Sequence, residues 1–213
     1  MNMISRSHLT VLLGLAAILW GILLLLSGVH VSMQLAKPFS AVLGILLILL
    51  GLFEKWVWRL PILHPWFVST PVLRGTWKGR VTPFGLDHES GQPYSPIEAY
   101  LTIRQTFSSI SIRLITNESS SELLAGNIVK EPDEIYTVFG TYRNTPRLLK
   151  RDESPIHYGG LFLHVQGKSV NALSGQYWTD RNTRGELHFD RREKTTVDSF
   201  EEANALTREQ TPS

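Results

Sequence analysis

A change of character near Pro61 constrains this chain more than any other feature. Two apolar stretches lie before it, and short alternating segments with no further membrane signal lie after it. Leu9 to Val29 is 21 residues without a charge. At ~1.5 Å rise per residue a helix of that length spans roughly 30 Å, the thickness of the hydrocarbon core. It is too long for a signal-peptide core and lacks a cleavage site, so it reads as a retained transmembrane helix. The second stretch, Phe39 to Phe53, has 15 uncharged residues. Pro38 suits its first turn, Glu54 and Lys55 can reach headgroups, and Trp56, Val57 and Trp58 suit an interfacial belt. Pro61 then stops the helix. A core helix packed beside a single span is the alternative for this stretch. The expected layout is a two-helix membrane module over residues 1–60, a linker over 61–73, a β domain over 74–192 and a polar tail or short helix over 193–213.

The loop His30 to Lys37 carries one charge, whereas Arg6 precedes the first helix and Lys55, Arg59, Arg74, Lys78 and Arg80 follow the second. The positive-inside rule therefore puts both ends, and the β domain, in the cytoplasm. Gly14, Gly21 and Gly28 repeat every seven residues, and Gly44 and Gly51 keep that spacing. A seven-residue period holds small residues near one face, where membrane helices approach closely. No ionisable residue lies inside either stretch, which argues against a built-in ion pathway.

The chain has no cysteine, which excludes disulfides and thiolate metal sites. Residues 61–213 carry 17 Lys/Arg and 18 Asp/Glu, so the β domain has no bulk charge with which to hold DNA or RNA. Eight strands are legible: about Gly75–Thr82, Ile97–Thr106, Ser109–Thr116, Glu122–Val129, Ile135–Tyr142, His157–Gln166, Ser169–Trp178 and Gly185–Arg192. Leu101 and Ile103, then Ile110, Ile112 and Leu114, show the period-two pattern of a half-buried sheet. Long loops run before Ile97 and from Arg143 to Pro155; the other connections are short, which implies an antiparallel meander. Eight such strands can close and abolish both edges. The expected fold is a membrane α-helical hairpin plus an eight-stranded antiparallel up-and-down β-barrel. Gly75-Thr76-Trp77 resembles the G-x-W opening of lipocalin-like barrels. In that group the Trp plugs one end beneath an arginine of the last strand, a role open here to Arg191 or Arg192. In the tail, Ser199 followed by Glu202 fits a capping box for a short helix through Leu206.

Two segments, Arg74-Gly75-Thr76-Trp77-Lys78-Gly79 and Gly175-Gln176-Tyr177-Trp178-Thr179-Asp180-Arg181-Asn182-Thr183-Arg184-Gly185, stand beside this architecture. Together they resemble the two-transmembrane, β-barrel effectors of CBASS, the cyclic-oligonucleotide-based antiphage signalling system. The resemblance implies a receptor at the bacterial inner membrane, paired with a CD-NTase nucleotidyltransferase that makes a cyclic dinucleotide. Binding in the barrel then drives oligomerisation, and the helices disrupt the membrane.

The residues permit such a ligand. Two bases need aromatic faces, and two phosphates need guanidinium or hydroxyl donors. Tyr177 and Trp178 offer stacking; Thr179, Arg181, Thr183 and Arg184 offer donors. Tyr177 and Trp178 point to opposite sheet faces, so at most one faces the lumen. Tyr142 with Arg143 repeats the pairing, and Tyr100 with Arg104 shares a face of the second strand. Surface ion pairs and ordinary core packing are the competing readings of these residues. Enzymatic readings fare worse: His157, His164 and His188 are scattered, and neither a nucleophile elbow nor a metal-spaced histidine pair is present. No catalytic residue, metal or cofactor is expected. Two other binding roles remain: a membrane-tethered lipocalin-like carrier of a lipid or other apolar molecule, and a solidly packed barrel whose outer face holds a partner protein. The lumen separates them by being polar and basic, apolar and open, or filled.

Overall fold

In a computed structural model the described residues are 33–86, 91–133, 135–167 and 170–208, with 13, 14, 17, 18, 20–22, 25 and 26. Most of the stretch Leu9 to Val29 lies outside them, as do Arg6, Gly28 and His30; its nine described positions are helical. Two compact units are present, one holding the chain up to Ser69 with Thr106–Ser108, the other Thr70–Gln105 with Ser109–Ser213.

In the first unit the second apolar stretch lies within helix α1, Met33–Lys55. The helix starts before the apolar run, so Pro38 stands in its second turn rather than its first. Among the described residues no helix is long and apolar enough to cross a membrane. Two 3-10 turns follow, Val57–Arg59 and Pro61–Leu63, the second opened by Pro61. Trp56 is exposed but Trp58 is buried, 6.2 Å from the Phe107 ring, so it belongs to this unit's packing rather than to an interfacial belt. Glu54 differs likewise. Its carboxylate accepts hydrogen bonds from Thr106 Oγ1 and Ser108 Oγ, each at 2.6 Å, which spares it any need for water or headgroups.

The second unit is a closed barrel in which every strand pairs antiparallel with its sequence neighbours and the last pairs with the first. The strands are β1 Gly75–Pro83, β2 Ile97–Gln105, β3 Ile110–Thr116, β4 Ser119–Lys130, β5 Tyr136–Pro146, β6 His157–Gln166, β7 Ala172–Thr179 and β8 Arg184–Glu193. Alternate residues point inward: Trp77 and Val81, Ala99, Leu101 and Ile103, Ile112, Val138, Leu161 and Leu163, Leu173, Leu187 and Phe189 form one buried cluster. These side chains fill the middle of the barrel, so neither the open apolar lumen of a lipid carrier nor the polar, basic lumen expected of a nucleotide pocket is present there; the middle is packed core, and any guest must sit elsewhere. The sixth strand has the limits read from the sequence. β5 differs most: it runs on through Arg143 to Pro146, because Ser119, Ser120 and Ser121 of β4 pair with Pro146, Thr145 and Asn144.

One end is sealed. Trp77 is fully buried, its Nε1 donates to the Leu73 carbonyl (2.9 Å), and the Arg192 guanidinium lies 5.2 Å from its ring centroid. Arg192 also donates to the Arg74 carbonyl at 2.6 Å. The arginine expected over the G-x-W tryptophan is therefore Arg192. Gln105 completes the plug, accepting from Leu73 N–H (2.7 Å) and donating to the Pro71 carbonyl (2.9 Å).

The tail straps the outer wall of β1 and β2. Thr76 Oγ1 donates to the Thr195 carbonyl (2.8 Å) and Thr102 Oγ1 to the Val197 carbonyl (2.9 Å). Helix α2, Phe200–Arg208, follows. Its start is capped as expected: Ser199 Oγ accepts from Glu202 N–H, and the Glu202 carboxylate reaches back to Asp198 N–H, both at 3.2 Å.

Candidate functional site

The end opposite the plug is built from different chemistry. The β1–β2 loop, the β5–β6 loop and the β7–β8 turn lie there, and the inward residues near this end of β4, β5 and β7 include Ser121, Tyr142, Asn144 and Tyr177. Tyr142 and Tyr177 face the barrel interior and pack at the top of its core. Each occupies a slot left by a glycine on the adjoining strand. A Cβ at Gly159 would lie 2.6 Å from the Tyr142 hydroxyl, and one at Gly185 would lie 2.7 Å from Tyr177 Cε1. Burial, with the neighbouring Tyr177 and Asp180 adding to it, pushes the Tyr142 phenol far above the usual tyrosine range, and burial also raises Tyr177. Both rings thus remain neutral hydrogen-bond donors at physiological pH. Beside them Ser121 Oγ donates to Asn144 Oδ1 (2.9 Å), a buried polar pair.

The β7–β8 turn is held in one shape by its own hydroxyls. Thr179 Oγ1 lies 2.7 Å from Thr183 Oγ1 and accepts from the N–H groups of Arg181 and Thr183, each at 3.2 Å. Asn182 takes φ 59°, a left-handed conformation that asparagine tolerates better than most residues. Asp180 pins the turn to β6 through Tyr158, donating to its carbonyl (2.9 Å) and accepting from its N–H (3.2 Å). The turn thereby presents two guanidiniums at the rim. Arg181 Nη1 donates to Ser154 Oγ (2.8 Å), and Arg184 sits 4.7 Å from the centroid of the exposed Phe84 ring. Neither has a carboxylate partner among the salt bridges of the described residues.

Six of the ten residues singled out as ligand contacts therefore gather at this rim: Tyr142, Tyr177, Thr179, Arg181, Thr183 and Arg184. Four do not. Trp178 is half exposed on the outer wall, as the alternation with Tyr177 requires. Arg143 also points outward, 3.4 Å from Glu122. Tyr100 and Arg104 do share a face, but it is the outer face beneath the tail. Tyr100 donates to Glu98 (2.8 Å) and packs edge-on against Phe200, while Arg104 pairs with Asp198 (2.8 Å). Sequence reasoning missed Asn144, Ser121, Ser154 and Phe84. Glycines inside strands mark close approach of another group, and Gly159 and Gly185 carried that signal. Of the proposed helix-packing glycines, Gly14, Gly21, Gly44 and Gly51 have no described atom within 4 Å of where a Cβ would stand.

The rim offers planar groups the half-buried Tyr177 and the exposed Phe84, and offers anions guanidinium and hydroxyl donors. No group of three metal-ligating side chains is present among the described residues. Plugged at one end and open-rimmed at the other, the domain is an eight-stranded, up-and-down antiparallel barrel. Residues 68–191 match the model of the Cap15 cyclic dinucleotide receptor domain. The chain belongs to that family. It is also 32% identical over 85 residues to the CD-NTase-associated protein 15 of Staphylococcus schleiferi, an alignment that covers 40% of this chain and 44% of that relative.

Proposed function

We propose that this chain is a CBASS effector whose barrel rim binds a cyclic dinucleotide made by a partner CD-NTase. Binding promotes oligomerisation, and the amino-terminal helices, two spans at the bacterial inner membrane with the β domain in the cytoplasm, then disrupt the bilayer. The observation that carries the reading is the rim, where Tyr142 and Tyr177 stand beside Arg181 and Arg184 on a chain that belongs to the cyclic dinucleotide receptor family. The bases lie against the half-buried Tyr177 and the exposed Phe84, with Tyr142 beneath as the floor, and the phosphates meet the guanidiniums and the Thr179–Thr183 hydroxyls. Because packed side chains fill the barrel below, the guest sits at the rim rather than deep inside. The amino-terminal role is supported by the uncharged stretch Leu9 to Val29 and by the aliphatic side chains from Ile45 to Leu52 that α1 leaves exposed. Ligand binding shifts assembly only through a difference in affinity between free and assembled forms.

Calorimetry on the full chain in detergent micelles, against cyclic di-GMP, cyclic di-AMP and cyclic GMP–AMP, tests the binding step. At least one should bind, and none should bind the Arg181→Glu/Arg184→Glu variant. Release of dye from liposomes carrying the full chain tests the membrane step; leakage that ignores the nucleotide would remove the gating.

A further inference from the structure

We propose that barrels of neighbouring copies join head to tail, the leucine pair Leu148–Leu149 of one copy seating in an apolar cup on the outer wall of the next. This rests on the reading of the chain as a receptor that assembles on its ligand, and it names the surfaces that meet.

The first surface is the 3-10 turn Leu148–Lys150 in the β5–β6 loop. Leu148 is 75% and Leu149 93% exposed, and Arg147, Lys150 and Arg151 surround them. Two adjacent leucines held out on an ordered turn gain nothing within their own chain. The second surface is a shallow cup of about 990 Å³ on the wall of β4 to β7. Leu124, Phe139, Tyr158 and Trp178 line it, each 43–55% exposed, and the Trp178 indole lies against Gly160. The cup lining holds one acid, Asp180, and no base, so its charge complements the basic turn. The opposite wall, over β1 and β2, is covered by the tail; this one has no cover among the described residues.

The turn is held away from its own cup. Arg147 N–H donates to the Glu118 carbonyl (2.8 Å), its guanidinium pairs with Glu201 of α2 (2.8 Å), and Lys150 lies 3.6 Å from Glu118. These anchors tie the turn to the β3–β4 turn and the tail helix, and none of them ties it to the cup. Knob and cup are then different patches. Such a contact repeats from copy to copy into a ring or filament instead of closing as a two-fold dimer. The ligand rim adjoins both patches: Arg181 bonds Ser154 of the knob loop, and Tyr177 and Thr179 flank Trp178 of the cup. A guest at the rim is therefore placed to act on both halves of the contact.

Sedimentation of the full chain in detergent micelles, with the same three cyclic dinucleotides, tests this. Leu149→Asp destroys the knob and Phe139→Asp the cup; neither residue belongs to the rim, and both side chains are solvent-facing. Each variant should still bind nucleotide by calorimetry, with the affinity of the unassembled parent, yet need more than about tenfold higher protein concentration to assemble. An equal mixture of the two should form dimers and stop there, since only one intact knob and one intact cup remain per pair. Assembly unchanged in either variant, or a mixture that stays monomeric, overturns the head-to-tail contact. A parent chain that binds nucleotide but stays monomeric overturns it while leaving the receptor reading intact. A parent that binds none of the three nucleotides removes both.

Discussion

The two ends of the barrel are made from the same eight strands and do opposite things. At the plug, Trp77 and Arg192 are locked together, and Gln105, Leu73 and Arg74 have their polar groups matched within the chain. At the rim, Arg181 and Arg184 have no carboxylate partner among the salt bridges of the described residues, and the aromatic neighbour of Arg184, Phe84, is exposed. The plug uses its aromatic and its arginine for stability. The rim keeps the same two residue types open to a guest. Burial of the plug and exposure of the rim arginines thus divide the barrel into a sealed end and an open end, the second of which is proposed to take the ligand.

That division can be broken by mutation. Trp77→Ala should cost about 3–5 kcal/mol of folding stability, the range for removing a large core aromatic, read as a lower denaturant midpoint. Reversing both rim arginines should leave folding stability within about 0.5 kcal/mol of the parent and weaken nucleotide binding at least a hundredfold, as expected when charge-assisted bonds worth ~1.5–3 kcal/mol each are lost. If instead the rim variant melts early, the two ends are not separate in the way described. Gly185→Ala should act on both measurements. Its Cβ would meet the Thr82 carbonyl oxygen at 2.3 Å and displace Tyr177, costing about 1–3 kcal/mol and part of the affinity.

The tyrosines supply a pH test. A phenol whose folded pKa is raised adds stability that is fully present below the ordinary tyrosine value of about 10 and is lost as pH climbs through the raised values. Of the six tyrosines, Tyr142 and Tyr177 should therefore titrate late in an alkaline absorbance titration. Their titration should coincide with unfolding. The smallest effect should come from the strap: Arg104→Ala breaks an exposed pair with Asp198 and should cost under ~1 kcal/mol.

The same contrast explains what could be read in the sequence. The plug announced itself through Gly75-Thr76-Trp77, and the barrel's middle through the alternation of Leu101, Ile103, Ile112 and Leu114. β4 and β5 were cut short because their rim-ward inward positions are Ser121 and Asn144, where a polar residue erases the period-two signal. Polarity there is what the proposed binding rim requires, so the sequence pattern fades at the end of the barrel where the ligand is proposed to sit. The β7–β8 turn was legible because its donors lie close together in sequence. Tyr100 and Arg104 misled because even spacing fixes a shared face without saying which one, and the strap that covers it comes from far along the chain. In the first unit, Trp58 and Glu54 looked like groups for a membrane surface because their partners, Phe107, Thr106 and Ser108, are equally distant in sequence.

Barrel closure joins Gly75–Pro83 to Arg184–Glu193, the first strand to the last. During synthesis the receptor is therefore an open ribbon with two bare edges until its final strand emerges, and the strap can fasten only after that. A ribosome that stalls anywhere before Arg184 leaves a chain without the full rim and with edges prone to pairing with other chains. Closure of the barrel, and with it the complete rim proposed to take the ligand, thus waits on the strand Arg184–Glu193.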